Sequence, residues 1–130
     1  MDDESRYAAG MTTRRAVLGE AYVDRASAGV DDFNRDFQAF ITRTAWNDIW
    51  NRPGLDRRTR SVIVLSVASA LGAWGEFRIH VRGALNNGLT RQEIAEVLLQ
   101  VGVYAGVPAA NHAHKEAMAV FKEIDAETAA

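Results

Sequence analysis

The chain has 130 residues, a formal charge of −2, 48% hydrophobic and 25% charged residues, and no cysteine. Such a length suits one domain with one core, and the missing cysteine excludes disulfides, thiolate metal sites and thiol redox chemistry. A pI near 5.9 leaves no basic footprint for nucleic acid, and Arg and Glu residues interrupt every apolar run before it reaches the length of a bilayer span.

The start, Met1-Asp2-Asp3-Glu4-Ser5, is acidic and polar, unlike a signal peptide, so a soluble cytoplasmic protein is expected. Only two prolines occur, Pro53 and Pro108, and alanine is frequent, which points to an all-α fold. A first helix is expected over residues 4–18 with Tyr7, Met11, Ala16 and Leu18 as its apolar positions, although Gly10 weakens it. A short segment over 20–28 ends at Gly29, and residues 1–30 together read as an N-terminal helical arm. Asp31 or Asp32 then caps a helix carrying Phe33, Phe37, Phe40 and Ile41 at i, i+4, i+7, i+8 spacing, a stripe suited to core or subunit contact.

The run from Trp46 to Leu55 closes this region with a turn at Pro53-Gly54. Asp56 caps a helix from Arg57 to about Leu71, whose second half is apolar almost all round and is expected to lie buried on all sides. The next helix contains Glu76 and His80 and stops at Asn86-Asn87-Gly88. Thr90-Arg91-Gln92-Glu93 forms a capping box for a helix through Ile94, Val97, Leu98 and Val101, ending around Gly102, Gly106 and Pro108. A last helix runs from about Ala109 to Ile124, and residues 125–130 read as a frayed tail.

Three of these segments, Arg57-Arg58-Thr59-Arg60-Ser61, the Glu76 to Gly88 helix and Thr90-Arg91-Gln92-Glu93-Ile94, resemble the carboxymuconolactone decarboxylase family. Arg43 to Leu55, Ala84-Leu85-Asn86-Asn87-Gly88 and Gly106-Val107-Pro108-Ala109-Ala110-Asn111 narrow the likeness to its branch acting on γ-carboxymuconolactone. It extends over nearly the whole chain, including Arg14-Arg15-Ala16-Val17-Leu18-Gly19 and the Asp31 to Phe40 helix. The resemblance implies an all-helical fold of the alkyl hydroperoxidase D type assembled into trimers or hexamers. It also implies cofactor-free, metal-free decarboxylation of 4-carboxymuconolactone, a dicarboxylate lactone of protocatechuate breakdown, to the enol-lactone of β-ketoadipate. The peroxidase branch of the superfamily carries Cys-x-x-Cys-x-x-x-His with a glutamate twelve residues upstream. Here His80 matches the histidine, Ala73 and Glu76 stand at the cysteines, and Ser61 stands at the glutamate, so the peroxidase relay cannot operate.

Glu76 and His80 share one helix face and are expected to touch, the carboxylate orienting the imidazole and favouring its charged form. They are the candidate catalytic pair, with His80 as proton donor or oxyanion partner. An arginine is the expected carboxylate anchor, and Arg60 leads Arg57, Arg58, Arg78 and Arg82 because it opens the apolar helix. Trp46, Trp50, Trp74 and Tyr104 are candidate walls of an apolar pocket, and Asn111 a candidate hydrogen-bond donor in it. His112 and His114 are two apart and point away from each other on a helix, a poor metal pair. The competing expectation is a non-catalytic helical oligomer that binds a small acid, or another lactone-processing enzyme on the same scaffold.

Overall fold

Helix-favouring composition yields helices along the chain. A computed structural model describes residues 1–129, and among these there is no strand. The helices are α1 (Asp3–Leu18), α2 (Glu20–Ala28), α3 (Arg35–Ile41), α4 (Arg57–Leu71), α5 (Trp74–Asn86), α6 (Arg91–Tyr104) and α7 (Val107–Ala129), with a π-helical segment, Thr42–Ile49, continuing α3. They form two compact units, Met1–Arg57 and Arg58–Ala130. No helix is long and apolar enough to cross a membrane among the described residues.

In the first unit α1 packs closely on the π-helical segment. Gly10 makes this possible: a Cβ there would lie 2.0 Å from the Thr42 carbonyl oxygen and 3.2 Å from the Asn47 amide nitrogen. The glycine that weakens α1 in isolation is therefore the residue that lets two backbones meet. The π register has a local cause in the threonines. The Thr42 hydroxyl donates to the Gln38 carbonyl and the Thr44 hydroxyl to the Phe40 carbonyl, both at 2.7 Å. Such back-bonding competes for carbonyls that a regular helix uses, and the amide of Trp50 reaches the Ala45 carbonyl at 3.0 Å, five residues back. A helical turn thus occupies part of the stretch that the sequence assigns to a closing turn. Asp31 takes the amides of Phe33 and Asn34 at 3.0 and 3.2 Å, initiating the turn before α3. The Phe33, Phe37, Phe40 stripe is exposed, so it is no part of this chain's own core.

The core of the second unit joins Leu65 and Ala68 of α4, Phe77, Val81 and Ala84 of α5, Ile94 and Leu98 of α6, and Ala113, Ala117 and Val120 of α7. Glycines in the left-handed region close two of these helices. Gly72 (φ 69°) follows α4, where the Ala73 amide bonds to the Ala68 carbonyl; Gly88 (φ 96°) follows α5, where the Leu89 amide bonds to the Ala84 carbonyl. The expected capping box of α6 is present in both directions, Glu93 amide to Thr90 hydroxyl at 3.0 Å and Thr90 amide to Glu93 carboxylate at 2.9 Å.

Two expectations fail here. Only one face of α4, Ser61, Leu65, Ala68 and Ser69, is buried; Ile63, Val67 and Leu71 are 45%, 50% and 76% exposed. An apolar circumference does not require that one chain alone cover it. And α7 continues through Ala129 instead of fraying after Ile124, because Arg82 bonds Glu127 at 2.9 Å, Arg91 bonds Asp125 at 2.6 Å and Thr128 bonds back to Ile124; Ala130, the last residue of the expected tail, lies outside the described residues.

Replacing Gly10 with alanine is expected to cost about 3 kcal/mol and lower the melting temperature by on the order of 10 °C. Calorimetry on G10A checks this, and a melting point within two or three degrees of wild type would refute the close approach.

Candidate active site

α5 carries functional candidates on two of its faces. On one, His80 is 5% exposed, and Phe77, Val81 and Ala84 beside it are fully buried. Its Nε2 stands 3.8 Å from the Glu76 carboxylate, a side chain 68% exposed one turn earlier. That span is too long for a direct hydrogen bond. Burial lowers the His80 pKa to about 4. The expectation that Glu76 favours the charged imidazole is thus overturned: desolvation outweighs a carboxylate that is itself well solvated. Roughly one His80 in a thousand is protonated at neutral pH, so it acts as a neutral imidazole that can donate through one nitrogen.

The other face of α5 runs along α7 in matching steps. Trp74 stacks on the His112 ring with centroids 4.1 Å apart and planes 18° apart. One turn on, Arg78 pairs with Glu116 at 3.3 Å, and beyond that Arg82 pairs with Glu127 and Glu123 at 2.9 and 3.3 Å. Glu116 also reaches His112 Nε2 at 3.2 Å. Asn111, His112, Lys115 and Glu116 line a cavity of about 390 Å³. The structure therefore brings two sequence candidates, Trp74 and Asn111, to His112, which pattern alone had set aside. The i,i+4 spacing of His112 and Glu116 was the available signal. His114 points elsewhere, to the Ala110 carbonyl at 2.6 Å.

The remaining candidates stand on other elements. Tyr104 is 84% exposed at a groove of about 500 Å³ between α4 and α6, walled by Val62, Ser66, Ala70, Val97 and Val101. Its lining includes one carboxylate, Glu96, and no histidine or arginine, so this groove and the acid–base groups do not coincide. Arg60 is half-buried in the second turn of α4. Trp46 and Trp50, in the first unit, stack on each other at 5.2 Å and are buried. Ser61 is fully buried and accepts a hydrogen bond from the Asn87 side chain at 2.9 Å, tying the start of α4 to the end of α5. Arg58 binds the Gly88 carbonyl and the Glu93 carboxylate, a structural clasp at the head of α6. No group of three or more His, Cys, Asp or Glu residues suited to a metal ion occurs among the described residues.

With an unfolded pKa near 6.5 and a folded value near 4, His80 binds protons more readily when the chain unfolds. Its stabilising contribution is full above pH 6.5 and is lost as the pH falls toward 4, about 3 kcal/mol in total. Urea titrations at pH 7.5 and 4.5 are expected to show this loss in wild type and much less of it in His80→Asn; equal losses in both proteins would exclude His80 as its source.

Likenesses to known proteins bear on this arrangement. Residues 35–119 match the Carboxymuconolactone decarboxylase family. The chain is 48% identical over 124 residues to a 4-carboxymuconolactone decarboxylase of Acinetobacter baylyi, covering 95% of this chain and 92% of that one. It is 44% identical over 99 residues to a nitrosuccinic acid decarboxylase of Metarhizium robertsii, covering 76% of this chain and 69% of that one. A shorter match, 39% over 80 residues and 60% of each chain, links it to an uncharacterized 15.0 kDa protein of Paracoccus denitrificans. This chain belongs to the carboxymuconolactone decarboxylase family.

Proposed function

We propose that the protein is a carboxy-lyase that converts 4-carboxymuconolactone to the enol-lactone of β-ketoadipate and carbon dioxide, as a step of protocatechuate breakdown. The observation that carries this is the 48% identity, over nearly the full length of both chains, to an enzyme named for that substrate. The substrate supplies its own electron sink. As the ring carboxylate leaves as carbon dioxide, its bonding pair passes through the ring alkene into the lactone carbonyl, and a proton then adds to carbon. Nitrosuccinic acid obeys the same logic, since its nitro group accepts the pair left by an adjacent carboxylate. The name of the second relative thus fits a site built for small dicarboxylates whose carbanions are delocalised.

Two demands fall on the protein: stabilising the oxyanion and moving one proton. A neutral, desolvated His80 suits the first, because a fixed N–H in a poorly solvated site gains strength as charge develops on the substrate oxygen. Glu76, exposed one turn earlier, suits the second, taking a proton from solvent and delivering it to the substrate carbon. Arg60 remains a proposed contact for a carboxylate, Trp74, Tyr104 and Asn111 proposed pocket residues, and Trp46 and Trp50 proposed apolar walls.

Assembly is part of this reading. Ile63, Val67 and Leu71 on α4, Leu99 and Val103 on α6, and Met118 on α7 are too much exposed apolar surface for an isolated chain in water. Copies of this chain would cover these faces, as trimers or hexamers.

Purified protein treated with EDTA is expected to release one carbon dioxide per lactone consumed, and His80→Ala to lose at least a hundredfold in kcat. Hydrolysis without carbon dioxide, or binding without turnover, would exclude the decarboxylase reading; wild-type kcat in a folded His80→Ala would exclude the role of His80. Sedimentation is expected to give a mass of three or six chains.

A further inference from the structure

Many arginines of the chain pair with its own carboxylates. Arg6 pairs with Asp3 and Asp48, Arg15 with Glu20 and Asp24, and Arg35 with Asp32. Arg58 pairs with Glu93, Arg78 with Glu116, Arg82 with Glu123 and Glu127, and Arg91 with Asp125. Nearly all of these pairs are solvent-exposed on at least one side. Arg14 on α1 is the opposite case: it is 8% exposed, more deeply buried than any of them, and no carboxylate of the described residues pairs with it. Among the described residues its only hydrogen bond runs from Nη1 to the neutral Gln38 side-chain oxygen at 3.2 Å, and its Nε is buried with no partner there.

A guanidinium stays charged at any working pH, so burial cannot neutralise it as it neutralises His80. A buried cation without a counter-charge is strongly unfavourable and is tolerated where an anion arrives from outside the chain. The geometry fits an oxyanion. Gln38 takes Nη1, on the Cδ side of the guanidinium, so the opposite edge, Nε and Nη2, has no hydrogen bond among the described residues; that edge is the side-on fork that can hold both oxygens of a carboxylate.

We propose that Arg14 is a carboxylate-binding residue of the N-terminal unit, and that its ligand is a carboxylate of a small organic diacid. Identifying that diacid with the lactone substrate rests on the decarboxylase reading; the anion site itself does not. Arg58, Arg78 and Arg82, which the sequence offers as anchors, would have to give up a carboxylate of their own to hold one. Arg14 has none to give up.

The test titrates succinate into the full-length protein at low salt, following the Arg14 Nε–H resonance and the melting temperature. Wild type is expected to show a saturable downfield shift and a rise of several degrees. Arg14→Met, which keeps the stem and removes the charge, is expected to bind at least tenfold more weakly with no such rise. Arg14→Lys, which keeps the charge without the fork, is expected to fall between them and covers the case in which the methionine variant fails to fold. Turnover should follow, with KM for the lactone at least tenfold higher and kcat within a few-fold. Unchanged succinate affinity in either variant overturns the proposal, as does dissociation of Arg14→Met into monomers, which would assign the counter-charge to a second copy of the chain. If succinate binds through Arg14 yet wild type releases no carbon dioxide from the lactone, the site stands and the decarboxylase reading falls.

Discussion

The second unit depends on how α5 is held. Phe77, Val81 and Ala84 are wholly withdrawn from water, and this packing drags His80 in with them. Apolar burial on the order of 2 kcal/mol for each large side chain anchors the helix, and the imidazole, placed on the flank of the same face, adopts whatever protonation state that environment allows. On the other side, the Trp74, Arg78 and Arg82 contacts fix the rotation of α5 against α7. A helix clamped on two sides cannot turn His80 toward water without breaking one set of contacts. The charge state of the imidazole is thus a consequence of core packing, decided by neighbours on other helices and hardly at all by the carboxylate one turn away.

Electrostatics elsewhere follow a different economy. Basic and acidic side chains are nearly balanced, at 15 and 17, and many arginines close on acidic partners in the same or another helix of their unit. Such exposed pairs contribute little to stability, typically less than about 1 kcal/mol. They do remove positive charge from the surface. Arg14, buried and with no carboxylate partner among the described residues, stands outside this pattern.

Local rules made much of the fold legible. The Thr90-Glu93 box, the stop at Gly88 and the breaks near Gly29 and Gly106 are short-range signals, and the helices begin and end close to them. What sequence could not supply depends on distant contacts. An apolar helix such as α4 looks the same whether its own chain or another covers it. Gly10 looks like a defect until the Thr42 backbone is placed against it. The proposed pair of Glu76 and His80 could be read from spacing, yet the imidazole's charge required knowing its burial. Arg14 gave no signal at all, because one arginine among many on a mixed helix face shows nothing of its depth.

The π-helical segment has a consequence of a different kind. Its hydrogen-bond ring encloses one residue more than that of an α-helix, and one residue corresponds to about 100° of rotation. Thr42–Ile49 is thus a phase shifter: it sets the azimuth at which Trp50 and the following turn leave the helix. Loops absorb changes of length by bulging, but here a single deletion would let the backbone relax into the α register and swing everything downstream by more than a quarter of a circle. Length in this stretch is encoded as angle, so lineages that keep the tryptophan stack should vary in residue type between Thr42 and Trp50 far more freely than in residue number.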